Sequence, residues 1–198
     1  CRLAHFSHFF CPGPSDHLFG AGPWGAGSRW ISYALLPVDP HFLAWKLKNL
    51  NYTARFIQLA DEINKGMPLY WANKVQDALN QGEKPLMGSR VLVLGVTYKA
   101  DVDDIRESPA LALILLLQEK GAAVTYHDPY VPRLDVDGIS MSSIDLKQGA
   151  LRQMDCVVIT AAHSSYDWAW VVGNSRLIVD TRNATSGALQ DTRRVAKP

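Results

Sequence analysis

The sequence predicts an α/β protein in which one long helix leads into a parallel-sheet domain. Three observations carry this. Apolar residues recur at helical spacing across residues 51–82, from Phe56, Ile57, Leu59 and Ala60 through Ile63, Met67 and Tyr70 to Val75, Ala78 and Leu79. Short apolar runs, "RVLVLGV" and "DCVVIT", read as strands buried on both faces, as parallel strands are. Between them lies "SPALALILLLQEKG", an apolar helix with its own start and stop signals.

Taken in order, residues 1–34 hold Cys1, Cys11, His5, His8 and His17 among Phe, Gly, Pro and Trp, with no sustained period. Neither cysteine belongs to a Cys-x-x-Cys pair and the histidines match no zinc spacing, so an irregular lead segment is expected rather than a metal site. "GAGPWGAG" follows no strand and opens no helix, which weakens any reading as a phosphate loop. "PVDPHFLAWK" then sets Asp39 between two prolines, ahead of a short amphipathic segment with Phe42, Leu43, Trp45, Leu47 and Leu50. In the long helix, Thr53 is placed to cap the start and Gly82 to stop it, with a kink or break expected near Gly66 and Pro68. A helix of this length outruns the needs of a small domain and is expected to join two halves of a molecule and to pack against a second copy.

From Ser89 onward strands and helices alternate. "RVLVLGV" ends at Gly95; Ser108 at the N-cap and Pro109 at the first helical position open the next helix, and Gly121 closes it. "AAVTYHDP" is a second strand, "LKQGALRQM" a helix, "DCVVIT" a third strand and "SRLIVDTRN" a fourth. Trp168 and Trp170 in "YDWAWV" are expected as core or interface aromatics. Strand–helix alternation of this kind gives a right-handed parallel α/β unit, whose ligands bind beyond the carboxyl ends of the strands. The loops at those ends are "GVTYKADVDDIRES", "HDPY", "TAAHSSYD" and "DTRNAT".

The chain has 198 residues, 47% hydrophobic and 20% charged, with a formal net charge of +1. Nucleic acid or an anionic membrane surface would call for a clustered basic excess, and no apolar run approaches the roughly 18 residues that span a bilayer. Three cysteines cannot pair evenly, so a reduced, cytoplasmic setting is expected.

A dinucleotide turn needs Gly-x-Gly-x-x-Gly, and here Gly95 is followed by Val96, Thr97, Tyr98 and Lys99 in a long loop. That argues against NAD on this half. Lys99 and Arg106 leave the first strand-end loop and Arg182 the last, a set of cations suited to a phosphate or diphosphate. The alternative is that Lys99 and Arg106 pair with Asp101, Asp103, Asp104 and Glu107 in a solvated loop. His127 and His163, also at strand ends, have no nucleophile or metal partner nearby in sequence and read as surface or loop-bridging histidines.

With "LLPVDPHFLAWK", "GVTYKADVDDIRESPALAL" and "IVDTRN" in this order, from about Leu35 to Ala184, the chain resembles the UDP-glucose/GDP-mannose dehydrogenase family, and most of all its UDP-N-acetylhexosamine 6-dehydrogenases. The resemblance implies an α/β fold with a long central helix followed by a Rossmann-like parallel-sheet domain. In the family an N-terminal Rossmann domain binds NAD, the central helix forms a dimer and the C-terminal domain binds the UDP part of the substrate. The family oxidises the sugar C6 alcohol to a carboxylate in two hydride transfers, through a cysteine that is both nucleophile and leaving group.

Carried over by position, Asp39 matches the aspartate that helps place the hydrolytic water, and Tyr98, Lys99, Arg106 and Arg182 become the substrate-binding candidates. The loop of the family reads roughly Gly-Gly-His-Cys-Ile-Pro-Val-Asp-Pro. Here its cysteine position is Leu35, its histidine position Ala34 and one glycine position Tyr33, and no thiol or hydroxyl replaces the nucleophile. The resemblance also leaves out the NAD-binding half. Both departures are expected if the segment before Leu35 is foreign to the family through truncation, splicing or a frame change, which reading the encoding DNA in its other frames would test.

The expected organisation is a non-matching lead (1–34), a catalytic-loop remnant with the dimerisation helix (35–86), a UDP-sugar-binding domain (87–190) and a tail (191–198). The implied function is part of an NAD-dependent UDP-sugar 6-dehydrogenase, with UDP-sugar as ligand, a homodimer through helix 53–80, and neither NAD binding nor turnover by this chain alone. The alternatives are a non-catalytic UDP-sugar-binding or dimerisation module, or a binding protein for another phosphate ligand. Glucose, N-acetylglucosamine and N-acetylmannosamine remain open as the sugar.

Overall fold

A computed structural model describes residues 44–50, 53–136, 138–188 and 195–196. Leu35, Asp39 and the lead segment lie outside these. After a short helical turn at 44–48, helix α1 (Arg55–Gln81) runs for 27 residues, about 40 Å at the usual rise. It continues through Gly66 and Pro68 without the expected break. Its N-cap is Ala54, with no side-chain cap, so Thr53 does not play that part. Gly82 sits at the C-cap with an ordinary φ of −88°, and the left-handed residue beyond it is Glu83 (φ 56°), not a glycine.

The sheet follows: β1 (Arg90–Leu94), α2 (Pro109–Glu119), β2 (Ala123–His127), β3 (Arg133–Val136), β4 (Ile139–Ser142), α3 (Gln148–Gln153), β5 (Cys156–Ile159), α4 (Trp168–Asn174), β6 (Ile178–Asp180) and β7 (Val195–Ala196). The main sheet has the order β2-β1-β5-β6-β7, with each neighbouring pair parallel. Strands β3 and β4 form a separate antiparallel hairpin. The sequence reading missed this hairpin, although an Asp-Gly dipeptide at 137–138 is a known turn signal. It also missed α4, whose N-cap Asp167 accepts a hydrogen bond from the Trp170 amide.

Helix α2 matches its expected ends. Ser108 Oγ accepts from the Ala110 amide, Pro109 occupies the first turn, and Gly121 takes the left-handed conformation (φ 84°) just past the C-cap.

Alternate residues of the strands feed two opposite layers. Val91, Cys156, Val158 and Val179 face the C-terminal half of α1 (Trp71, Ala72, Val75, Ala78, Leu79) and Leu113 and Leu117 of α2. Leu92, Leu94, Val157, Ile159 and Ile178 face Leu151 of α3 and Val171 of α4, with Trp168 and Trp170 partly buried against that layer. A third cluster seats the hairpin, through Leu134 and Ile139, on α2 and Tyr126. The N-terminal half of α1 is different: Phe56, Leu59 and Ile63 are exposed.

The chain leaves β1 for β2 on one side and returns to β5 on the other, so the strand order reverses between β1 and β5. At that point Gly95 (φ 80°) lies against Ala161, and a Cβ there would come within 2.6 Å of the Ala161 Cβ and carbonyl oxygen. Gly95→Ala is therefore expected to destabilise the domain by about 2–4 kcal/mol, from strain at positive φ plus overpacking. Chemical denaturation of the variant measures this, and an unchanged midpoint would contradict the close approach.

Candidate functional site

The four strand-end loops meet at the β1/β5 reversal, and one buried Asp–His hydrogen bond joins three of them. Asp128, immediately after β2, has a fully buried side chain. Its Oδ2 accepts from the Val96 amide (2.7 Å), beyond β1, and lies 3.0 Å from Nε2 of His163, beyond β5. Its Oδ1 accepts from the Tyr130 and Val131 amides at 2.9 and 3.2 Å, which forms an Asx turn within its own loop. Burial by itself raises the Asp128 carboxyl pKa, but the hydrogen bonds from His163, Val96 and Tyr130 outweigh it and hold the group below its ordinary value.

His163 is fully buried. Its Nδ1 accepts from the Asp101 amide at 2.9 Å, so the ring proton resides on Nε2 and is donated to Asp128. Thr97 Oγ1 lies 3.4 Å from the same Nε2 and donates to the Lys99 carbonyl at 2.6 Å. Asp101 adopts a positive φ of 60°, and its Oδ1 accepts from Ser164 N (2.8 Å) and Ser164 Oγ (3.0 Å). The loop closes further along, where the Tyr98 amide donates to the Asp104 carbonyl at 3.0 Å. His127 bridges as well, with Nδ1 2.9 Å from the Tyr166 hydroxyl, and burial pushes its imidazole pKa down.

The last loop is organised around Asp180. Its Oδ1 accepts from the amides of Arg182 and Ala184, and its Oδ2 from the amide and hydroxyl of Thr185. This turns Arg182 inward: it is 3% exposed, its Nε donates to the Thr160 carbonyl, and burial works against its charge. Thr160 in turn donates to the Gly95 carbonyl, which ties this loop to the reversal point.

The sequence candidates are thus placed in three settings. Tyr98 and Lys99 are half-buried on the loop after β1, with the Lys99 ammonium 5.1 Å from the Tyr98 ring centre. Arg106 is exposed and holds Asp104 through a bidentate pair, Nε to Oδ1 at 2.9 Å and Nη2 to Oδ2 at 2.7 Å. That is the solvated pairing the sequence left open, and it lowers the Asp104 pKa to about 2. Arg182 belongs to the buried layer beneath the loops. Asp39 and Leu35 lie outside the described residues.

Cys156 is buried in β5 with its thiol pushed up to about 12 by burial, so it is no nucleophile. Among the described residues no group of three or more His, Cys, Asp or Glu side chains is arranged to hold a metal ion. The turn from β1 to α2 does not fit the pyrophosphate of NAD. Pro109 has no N–H, the Ala110 amide is taken by Ser108 Oγ, and the Val96 amide is taken by Asp128.

Sequence reasoning missed the Asp128–His163 pair and the Asp180 turn. A signal was present: both aspartates stand at the carboxyl end of a strand, where an Asx turn caps the exit.

A parallel sheet covered by helices on both faces, with its loops gathered at a strand-order reversal, is the Rossmann-like kind of nucleotide-binding domain. Residues 92–187 match the UDP-glucose/GDP-mannose dehydrogenase family, UDP binding domain, and this C-terminal half of the chain belongs to that family. It is 34% identical over 155 residues to a UDP-N-acetyl-D-mannosamine dehydrogenase of Methanococcus maripaludis, covering 77% of this chain and 32% of that protein. The crystal structure of an NDP-N-acetyl-D-galactosaminuronic acid dehydrogenase from Methanosarcina mazei superposes with a TM-score of 0.58 at 29% identity, over 72% of this chain and 30% of the other. A UDP-D-ManNAc dehydrogenase structure from Pyrococcus horikoshii shares the fold with a TM-score of 0.62 at 23% identity, over 80% of this chain and 45% of that one. The chain spans about a third of the length of the curated relatives it matches.

Because the folded state favours ionised Asp128, its stabilisation is complete above the ordinary carboxylate value of about 4 and is lost as pH falls through the lowered one. Asp128→Asn should lower stability by about 2 kcal/mol at pH 7 and flatten the loss below about pH 4. Melting curves taken from pH 7 to pH 2 test this, and an equally steep acid limb in the variant would rule out the assignment.

Proposed function

We propose that this chain supplies the UDP-binding half of an NAD-dependent UDP-sugar 6-dehydrogenase, an enzyme that oxidises the C6 alcohol of a UDP-sugar to a carboxylate, and that it has no turnover alone. The observation that carries the reading is the position of Lys99, on the loop beyond β1, beside the reversal of strand order and inside the region matched to a UDP binding domain. Its ammonium suits a diphosphate. Tyr98 and Arg106 flank it on the same loop, and Arg182 underlies the neighbouring one.

The binding unit corresponds to residues 87–190, with α1 as the element that pairs two copies through the exposed side chains of Phe56, Leu59 and Ile63. Asp39 is the remnant of a catalytic loop whose nucleophile position is Leu35. NAD belongs to the complete enzyme and not to this sheet, in keeping with the occupied amides at the β1–α2 turn. A cytoplasmic setting is in keeping with the reduced Cys156, and no described helix is long and apolar enough to cross a membrane.

A non-catalytic UDP-sugar-binding or dimerisation module is the second reading. Leucine at the nucleophile position favours it.

Titration calorimetry with UDP, UDP-N-acetylglucosamine and NAD is expected to show binding of the first two and none of the third. Lys99→Ala should weaken UDP binding roughly tenfold or more, the scale of losing one charge-assisted contact. Unchanged UDP affinity in that variant would refute the assigned role, and NADH formed from a UDP-sugar would refute inactivity. Light scattering checks the pairing of α1: Ile63→Asp should shift a dimer toward monomer.

A further inference from the structure

We propose that His163 is the positioning residue of this site, one imidazole that sets the shape of the loop bearing Lys99. The inference rests on the reading of Lys99 as a ligand contact and adds a residue to it. The segment 97–101 is an arch with both feet on the same ring. At one end Thr97 Oγ1 stands 3.4 Å from Nε2, and at the other the Asp101 amide donates to Nδ1 at 2.9 Å. Lys99 is at the crown, and its carbonyl is held from below by the Thr97 hydroxyl at 2.6 Å.

The ring itself is fixed from three sides. Asp128 accepts from Nε2, and the rings of Tyr130 and Tyr166 lie 5.1 and 5.7 Å from it, centre to centre. The histidine is fully buried, so it does not touch a ligand; it acts through the backbone of the arch. Positive φ at Asp101 is sustained by the same contacts, because its amide is aimed at Nδ1 while its carboxylate is held by Ser164. The required ring state is specific. Only the Nε2–H tautomer donates to Asp128 and still accepts from Asp101.

Two substitutions divide the two halves of this duty. His163→Gln reaches Asp128 as a donor but leaves the Asp101 amide unmatched. His163→Asn presents an acceptor near the Nδ1 position but falls short of Asp128. Hydrogen exchange and UDP titration are measured on the full chain for both, beside Lys99→Ala.

The expected result is that Gln speeds exchange at the Asp101 amide and weakens UDP binding roughly tenfold, whereas Asn stays within about threefold on both despite a lower melting temperature. Affinity that simply tracks melting temperature across the variants would overturn the proposal, as would unchanged Asp101 protection in the Gln variant. If Lys99→Ala leaves UDP binding intact while Gln still frees the Asp101 amide, the ligand reading fails and the arch mechanics stand. In the unmodified chain, the ¹⁵N shifts of His163 should report Nε2–H, and an Nδ1–H ring would overturn the proposal without recourse to any variant.

Discussion

A carboxylate buried without compensation would cost several kcal/mol, and Asp128 avoids that cost by drawing donors from three loops. This requirement organises the carboxyl edge of the sheet. The Val96 amide must turn toward it as the chain leaves β1, the Tyr130 and Val131 amides must fold back over it, and His163 must enter from beyond β5. Each loop adopts its course because the others do. Loss of any one donor would leave charge unmatched in the interior, so the edge behaves as one cooperative unit.

The same chemistry recurs with different donors. Asp180 gathers amides and a hydroxyl from its own loop, an economical local solution. Asp155, at the opposite edge, accepts from the Arg90 amide at 2.8 Å and pairs with Lys84 at 2.7 Å, which fastens the link from α1 to the start of β5. Three buried or nearly buried aspartates thus close the two ends of the sheet. The lysine at the amino edge, Lys84, sits against a carboxylate, whereas the loop that carries Lys99 at the carboxyl edge is held by the Thr97 hydroxyl and the His163 ring.

Much of the fold was legible because its signals are local. Ser108-Pro109 and Gly121 mark the ends of α2 through contacts within one helical turn, and the apolar runs of β1 and β5 announce burial on both faces. The misses are of two kinds. Where local signals compete, tertiary packing decided: α1 starts without Thr53 and passes Pro68 intact because its second half is clamped to the sheet. Where the determinant is remote, no window of sequence contains it. Asp128 and His163 are 35 positions apart, and only strand order brings them to 3.0 Å. The pairing of Arg106 with a carboxylate of its own loop was one of the readings left open; that Arg182 turns under the edge was not readable.

Pro68 divides α1 into unlike halves. Beyond it the helix is anchored by Trp71, Ala72 and Val75, and before it the side chains of Phe56, Leu59 and Ile63 stand clear of the sheet. A proline withholds one rung of the backbone ladder and lowers bending stiffness at that turn. The missing rung of the helix therefore coincides with its point of departure from the domain. The outer half is an arm that the domain's own core does not hold, so whatever steadies its side chains must come from beyond the sheet.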